Sequence, residues 1–350
     1  MDFQQRIELI QDIERQRQST VICYLTSIRP NLGASMSDDA VRVIFDHLLQ
    51  LPERPVAKLD IFLCSDGGDG VLPWRLIPLF REFATRIGVL IPYHAYSAAT
   101  LLALGADEIV LHPFAEMGPI DPTVANAFNP TNPLGQSIGI GVEDVKAYIS
   151  FVKDTVGLQH QDALVRTLEI LAHNIHPLAL GNVERSISQT RMIARKLLLT
   201  HMDETESRRI DDLIETLTSK LYFHGHPINR REAQRELGLK IAEDPPPQLE
   251  TAMWNLYVAF EHQLRNREIY DPTAEIYRTF NPTVGTSQIP LGSNITTTDT
   301  SAIIESTRLS SAFAVQRRYV VAGIDPNCEP IVREQILRQG WENHRTTTSD

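Results

Sequence analysis

The chain has 350 residues, of which 42% are hydrophobic and 22% are charged, a composition typical of a folded globular protein. Its formal net charge of −11 disfavours unspecific binding to nucleic acid or to an anionic membrane surface, because like charges repel. The chain offers no run of about 18 apolar residues, and its N-terminal segment lacks the apolar centre of a secretion signal. We therefore expect no membrane span and a cytoplasmic location.

The cysteines give a second indication of compartment. Cys23, Cys64 and Cys328 are too few and too scattered for a disulfide framework or a zinc cluster. Cys64 lies in an apolar run, where a free cysteine is usually a small buried residue. A reducing compartment fits this pattern, and the sequence predicts neither a metal site nor a cofactor.

The first part of the chain alternates predicted helices and strands. A polar helix over residues 2–18 comes first, and apolar, β-branched runs then predict strands at 21–28, 58–64, 87–95 and 107–111. Helical periodicity occupies the segments between them, at 38–51, 71–86 and 97–106, and Pro78 predicts a kink or a break in the second. This alternation with short joints predicts an α/β fold with a mainly parallel sheet and flanking helices.

The second part of the chain reads differently. From residue 142 the pattern is helical, with helices predicted over 142–157, 181–200 and 203–219, and Asn229 is a predicted N-cap of another. Three prolines at 245–247 mark a boundary, so we predict a main domain over 1–245 and a small mixed α+β extension over 246–350. The extension holds a helix at 250–268, a polar stretch at 293–301, strands at 302–307 and 313–323, and a frayed tail at 341–350.

Two local features stand at strand ends, where active sites of parallel sheets collect. Gly67 and Gly68 directly follow a strand, and a glycine backbone there can approach a ligand and donate an N–H to a developing oxyanion. Ser97 stands between a strand and a helix, followed by the small residues Ala98 and Ala99. Serine at such a junction is usually an N-cap, yet the same place favours a nucleophile, because the helix N-terminus stabilises negative charge.

The order of these features resembles a known family. The segments SDGGDG, HAYSAATLLALGADEIVL and MGPIDP, followed later by YFHGHPINRREAQRELGLKI, resemble the serine dehydrogenase proteinase family of the Clp/crotonase superfamily, which is related to Clp protease and signal peptide peptidase A. The resemblance covers roughly residues 20–245. It implies a Clp/crotonase-like fold, Ser97 as nucleophile, and an oxyanion hole built from Gly67, Gly68 and Ala98. It also implies a peptide or protein substrate and a homo-oligomer.

The general base departs from the Clp pattern. Clp proteases place a histidine where this chain has Gly118-Pro119-Ile120-Asp121, so a triad of that pattern is not expected. The resemblance to signal peptide peptidases suggests instead a Ser–Lys dyad with Lys146 or Lys153, of which we favour Lys146. A lysine acts as a base only where its surroundings favour the neutral amine.

A second candidate base lies in the later turn. His224 or His226 could serve there, with Asp121 as the residue that orients the imidazole. The alternative is that this turn faces solvent and that its histidines have no catalytic role.

Three functions remain open from the sequence. The leading prediction is a serine peptidase in which Ser97 attacks an amide carbonyl. A crotonase-type acyl-CoA enzyme would use the same N–H donors for a thioester enolate and leave Ser97 incidental. A catalytically silent oligomeric scaffold would keep the fold alone.

Overall fold

The computed structural model describes residues 3–124, 126–132, 135, 137–221, 225–242, 245–280, 289–326 and 329–345. Twelve strands lie in this part of the chain. They are β1 (Thr20–Thr26), β2 (Val56–Cys64), β3 (Ala84–Ile91), β4 (His94–Ala95), β5 (Glu108–Leu111), β6 (Glu116–Met117), β7 (Thr123–Val124), β8 (Ile140–Gly141), β9 (Ile228–Asn229), β10 (Asn294–Glu305), β11 (Leu309–Ile324) and β12 (Pro330–Arg345).

The same residues form eleven α-helices. They are α1 (Phe3–Arg17), α2 (Asp39–Leu48), α3 (Leu72–Phe83), α4 (Ala98–Leu104), α5 (Val142–Ser150), α6 (Gln161–Asn174), α7 (Pro177–Leu198), α8 (Ser207–Glu215), α9 (Arg230–Arg235), α10 (Pro247–Gln263) and α11 (Pro272–Phe280). Helix α5 continues into a π-helical turn at Phe151–Thr155, and α8 into another at Thr216–Lys220. A 3₁₀ turn, Glu204–Glu206, precedes α8. Among the residues described, no helix has both the length and the apolar character to cross a membrane.

A seven-stranded sheet in the order β12-β11-β10-β1-β2-β3-β5 forms the centre of the molecule. Strands β1, β2, β3 and β5 run parallel, as their helical connections require. The predicted α/β class with a parallel sheet and flanking helices is confirmed.

The C-terminal segment continues this sheet. Strand β10 pairs antiparallel with β1, and β11 and β12 follow as an antiparallel meander. Helix α10 packs on the sheet beside α1. The segment after residue 245 thus shares the sheet and the core of the segment before it. The predicted division into a main domain over 1–245 and an extension over 246–350 stays a prediction.

The parallel part of the sheet is buried on both faces, and the period of two along β1 shows how. Ile22 and Tyr24 face the cluster formed with α2, α3, α4, α7 and α8. Val21, Cys23 and Leu25 face the opposite cluster, formed with α1 and α10. A strand covered on both faces reads as a continuous apolar run, which is why these strands were predictable from sequence.

A small three-stranded sheet lies at the carboxyl end of the parallel strands. Its order is β4-β6-β9, and its register aligns Ala95 with Met117 and Met117 with Ile228. Isolated bridges join Ser65 to Ala95 and Met36 to Gly68. The segments that resemble the family therefore meet at one edge of the molecule, although they lie far apart in sequence.

Three sequence predictions need correction. Pro78 lies inside α3 and does not break it. The polar stretch at 293–301, for which no strand was predicted, forms most of β10, and consecutive residues from Asn294 to Thr300 pair with β11. Residues 341–345 are not frayed, since they end β12 and pair with the start of β11. Residues 346–350 lie outside the described part of the chain.

Candidate active site

Ser97 occupies a sharp turn between β4 and α4. Its backbone angles are φ 52° and ψ −113°, a conformation that costs a residue with a side chain free energy and that collects at functional sites. The Ser97 side chain makes no capping hydrogen bond to α4, although the residue occupies the N-cap position. The hydroxyl is therefore not used to satisfy the helix, and Ser97 stays partly exposed.

The turn is fixed by hydrogen bonds on both sides of Ser97. The Tyr96 N–H donates to the Ser65 carbonyl at 3.0 Å, and the Leu101 N–H donates to the Ser97 carbonyl at 3.0 Å. The fully buried Thr100 hydroxyl lies 2.6 Å from the Ala95 carbonyl. Strand, turn and first helical turn are thus tied together, and the surrounding structure imposes the strained backbone.

The glycine pair lies directly against this turn. Gly67 has φ +100°, and a Cβ there would come within 2.7 Å of the Tyr96 carbonyl oxygen and 2.8 Å of the Ser97 Cβ. Gly68 has φ +151°, and a Cβ there would come within 2.2 Å of the Met36 carbonyl oxygen. Both positions therefore require glycine. Gly67 requires it because of the Ser97 turn, and Gly68 because of the backbone of Met36.

The backbone N–H groups of the glycine loop differ in whether they have a hydrogen-bond acceptor. The Gly67 N–H donates to the buried Ser65 hydroxyl at 3.1 Å, and that hydroxyl also shares a 2.7 Å hydrogen bond with Thr26. The Met36 N–H donates to the Gly67 carbonyl, and the Asp69 N–H donates to the Met36 carbonyl, so that Met36 is bound on either side of Gly68. Within the described residues, neither the Gly68 N–H nor the Ala98 N–H has an acceptor.

The candidate base Lys146 lies on α5 and is half-buried. Its ammonium donates to the Ser219 hydroxyl at 3.0 Å. Ser219 belongs to the π-helical turn after α8, and the Leu217 carbonyl in that turn accepts the Ile120 N–H at 3.0 Å. Lys146 is thereby connected to the segment that follows β6 and so to the edge on which Ser97 lies.

The other candidates are placed differently. Lys153 is exposed in the π-helical turn after α5, whereas Asp121 is buried. His226 Nε2 lies 2.8 Å from a Glu232 carboxylate oxygen, and His224 lies outside the described residues. In the part of the chain the structure describes, no side chain hydrogen-bonds to the Ser97 hydroxyl. The identity of the base therefore stays a prediction, as does the role of each site residue.

Sequence reasoning missed a stack of aromatic rings beside the nucleophile. The rings of Tyr96, His94, Tyr93 and Phe114 follow one another with centroid separations of 4.6, 3.7 and 5.4 Å and nearly parallel planes. The Tyr96 hydroxyl donates to Glu116 at 2.7 Å, and burial together with this carboxylate raises the pKa of Tyr96. The only signal in the sequence was the pattern Tyr-His-x-Tyr before Ser97, in which a strand places His94 and Tyr96 on one face.

The geometry thus defines an α/β protein with a serine at a strained strand-to-helix turn, against a glycine pair. The family model described as "ClpP-like SDH-type serine proteinase" matches residues 1–133, which hold both the glycine pair and Ser97. The resemblance to the serine dehydrogenase proteinase family is confirmed over this part of the chain.

Curated relatives come from the archaeon Methanocaldococcus jannaschii. The uncharacterized protein MJ0137 is 24% identical over 255 residues, which cover 71% of this chain and 77% of that protein. The uncharacterized protein MJ1495 is 29% identical over 125 residues, which cover 34% of this chain and 42% of that protein. Their names carry no activity that could be transferred.

Solved structures with some likeness include two enzymes. One is the 1510-N membrane-bound stomatin-specific protease, solved as a serine-to-alanine mutant, with a TM-score of 0.37, 12% identity, and coverage of 67% of this chain and 84% of that one. The other is a methylmalonyl-CoA decarboxylase complexed with 2S-carboxypropyl-CoA, with a TM-score of 0.25, 12% identity, and coverage of 65% and 96%.

Proposed function

We propose that this protein is a Clp-fold serine peptidase with Ser97 as its nucleophile. The observation that carries the proposal is the state of the Ser97 hydroxyl. It stands at a helix N-terminus without capping the helix, on a strained backbone and against the glycine pair. A structural serine at this position would normally use its hydroxyl as the cap.

In the proposed reaction the Ser97 oxygen attacks the carbonyl carbon of a peptide bond, and its proton passes to the base. The carbonyl oxygen becomes an oxyanion, which the N–H groups of Gly68 and Ala98 bind. The C–N bond then breaks as the amine leaves with a proton. Water attacks the acyl-enzyme ester and releases the second product. The Gly67 N–H does not bind the oxyanion in this proposal, because it holds the loop to Ser65.

We assign the base to Lys146. It is half-buried, bound to Ser219 and joined through the π-helical turn to the segment after β6, whereas Lys153 is exposed. His226 is engaged with Glu232. In the proposed reaction a neutral Lys146 amine takes the Ser97 proton in the complex with substrate, since catalytic hydrogen bonds often form only when substrate is bound.

The proposed substrates are peptides or unfolded protein segments, because Ser97 is partly exposed and the neighbouring Gly68 is exposed. The proposed location is the cytoplasm, where the thiols of Cys23 and Cys64 stay reduced. Both are buried and free, and burial raises the pKa of Cys64 to about 12.

Cleavage of fluorescently labelled casein tests the proposal. The wild-type protein should cleave casein, Ser97→Ala should lose about a thousandfold or more of that rate, and Ser35→Ala should keep it. Ser35 is the matched control because it is an exposed loop serine. Equal rates for wild type and Ser97→Ala would contradict the proposal. Calorimetric binding of an acyl-CoA ester without casein cleavage would favour the acyl-CoA enzyme instead.

A further inference from the structure

The aromatic stack beside Ser97 continues beyond the nucleophile turn as far as α10. The ring of Trp254, on α10, stands nearly perpendicular to the Phe114 ring at a centroid separation of 5.7 Å. Phe114 itself lies in the loop between β5 and β6. The whole row of rings, which we call the aromatic surface, comprises Tyr96, His94, Tyr93, Phe114 and Trp254.

This surface is held in place and still faces solvent. The buried Tyr257 ring supports it, with centroid separations of 5.2 Å to the Tyr93 ring and 5.4 Å to the Trp254 ring. The Phe114 N–H donates to His112 Nδ1 at 3.1 Å and so fixes the turn that carries Phe114. Phe114 is nevertheless 59% exposed. An aromatic ring held open to water forgoes the free energy of burial, which a ligand that covers it would recover.

Two carboxylates border the aromatic surface. The Asp66 side chain, which follows β2, is 53% exposed, and its Oδ1 lies 3.4 Å from His94 Nδ1. Glu116 accepts a hydrogen bond from the Tyr96 hydroxyl. Within the described residues, neither carboxylate forms an ion pair with a lysine or an arginine. Their negative charge is therefore available to a cation that comes from outside the chain.

The tyrosines of the aromatic surface lie in the same negative potential. Burial raises the pKa of Tyr93, and the charges of Glu116, Glu261 and Asp66 raise it further. Burial, Glu116 and Asp66 shift the pKa of Tyr96 in the same direction. A nearby carboxylate disfavours the ionised phenol and favours a bound cation for one reason, namely the sign of the potential that it creates.

We infer that the aromatic surface binds a basic segment of the substrate peptide beside the bond that Ser97 attacks. Arginine side chains of that segment pack against the exposed Phe114 ring and face the carboxylates of Asp66 and Glu116. A planar guanidinium suits both contacts, because it stacks on aromatic rings and donates to carboxylates. The inference rests on the proposed function, since it names the substrate class of that same site.

Fluorescence anisotropy on the full chain with Ser97→Ala measures this binding without cleavage. The probe is a short fluorescein-labelled peptide of alanine and glycine that carries two arginines, and its match carries citrulline, which has no charge, at both positions. The arginine peptide should bind about tenfold or more tightly than the citrulline peptide. Adding Asp66→Asn or Phe114→Leu should each reduce this preference by about threefold or more. Glu53→Gln is the matched control, because it removes one exposed negative charge at the opposite end of β2.

Binding and cleavage are read separately, so the inference and the proposed function can fail separately. Equal affinity for the two peptides would overturn the inference even if the wild-type protein cleaves casein. An arginine preference that survives both Asp66→Asn and Phe114→Leu would overturn it as well, because the net charge of −11 alone attracts a basic peptide. A preference that both variants weaken, in a protein that cleaves no casein, would support the binding surface and contradict the peptidase.

Discussion

A Cβ at Gly67 would lie 2.8 Å from the Cβ of Ser97, closer than side chains approach one another in folded proteins. Glycine at this position therefore lets the loop after β2 contact the nucleophile turn. The Gly67 N–H holds this arrangement by donating to the buried Ser65 hydroxyl, so that the next N–H, that of Gly68, stays without an acceptor in the described structure.

This contact predicts that Gly67→Ala inactivates the protein. The added methyl group must displace the loop or the Ser97 turn, and φ +100° is strained for alanine. We expect casein cleavage to fall by about a hundredfold or more, as for loss of an oxyanion donor. Gly70→Ala is the matched control in the same loop, because its Cβ meets nothing within 4 Å. Equal activity of the two variants would show that the loop does not position the site.

The choice of base gives a second prediction. Lys146→Met removes the amine that we assign as base, and kcat should fall by at least about a hundredfold. Lys153→Met should keep the wild-type rate, because Lys153 is exposed away from the hydrogen bonds that tie Lys146 to Ser219. Steady-state kinetics on a fluorogenic peptide separates these variants. An active Lys146→Met together with an inactive His226→Gln would identify the histidine as base.

A third prediction concerns stability in acid. His47 on α2 is buried between the hydroxyls of Ser306 and Ser311, at 3.2 and 3.1 Å. Burial lowers its pKa to about 4 from an ordinary value of 6.5, and Asp46 opposes this shift only in part. The unfolded chain therefore binds a proton more readily than the native protein between these two pH values.

The contribution of neutral His47 to the stability of the native state is fully present above pH 6.5, and it is lost as the pH falls towards 4. The loss amounts to about 3 kcal/mol in the free energy of unfolding. Urea unfolding measured across this range should show a shallower dependence on pH for His47→Gln than for wild type. His262→Gln, at an exposed position, should keep the wild-type dependence. Identical slopes for all three proteins would contradict the prediction.

The strands of the parallel sheet were predictable because each is buried on both faces. The observed β2, Val56–Cys64, contains the predicted run at 58–64, and β5, Glu108–Leu111, falls within the run at 107–111. The predicted strand at 87–95 is divided in the structure. Its end forms β4 in a second sheet, because the chain must turn away from the first sheet to reach Ser97.

The C-terminal strands were harder to recognise. Residues 294–301 and 330–345 are mostly polar or charged and lack the continuous apolar runs of the parallel strands. Their pairing with β1 and β11 is a long-range property that local pattern does not contain. Helix α6 was not predicted either. Its exposed apolar residues pack against no partner within the described chain, so its apolar pattern marks no single buried face.

For the site, the sequence identified Ser97, Gly67 and Gly68 as neighbours by their order along the chain, and the structure adds how they differ. Only coordinates distinguish the Gly67 N–H, which is bound to Ser65, from the Gly68 N–H. Only coordinates show that Ser97 leaves its helix uncapped. The sequence favoured Lys146 as base only through the family resemblance, and that choice stays a prediction. Local pattern could not show its link to this edge, because the hydrogen bond from Lys146 to Ser219 joins segments that are remote in sequence.

The most direct test is the reaction of the purified protein with a fluorophosphonate probe, followed by mass spectrometric mapping of the modified residue. An activated serine hydroxyl attacks the phosphorus and expels fluoride, and the modification should be found on Ser97 and be absent from Ser97→Ala. Absence of modification in a folded wild-type protein, or modification of a different serine, would contradict the assignment of Ser97 as the nucleophile.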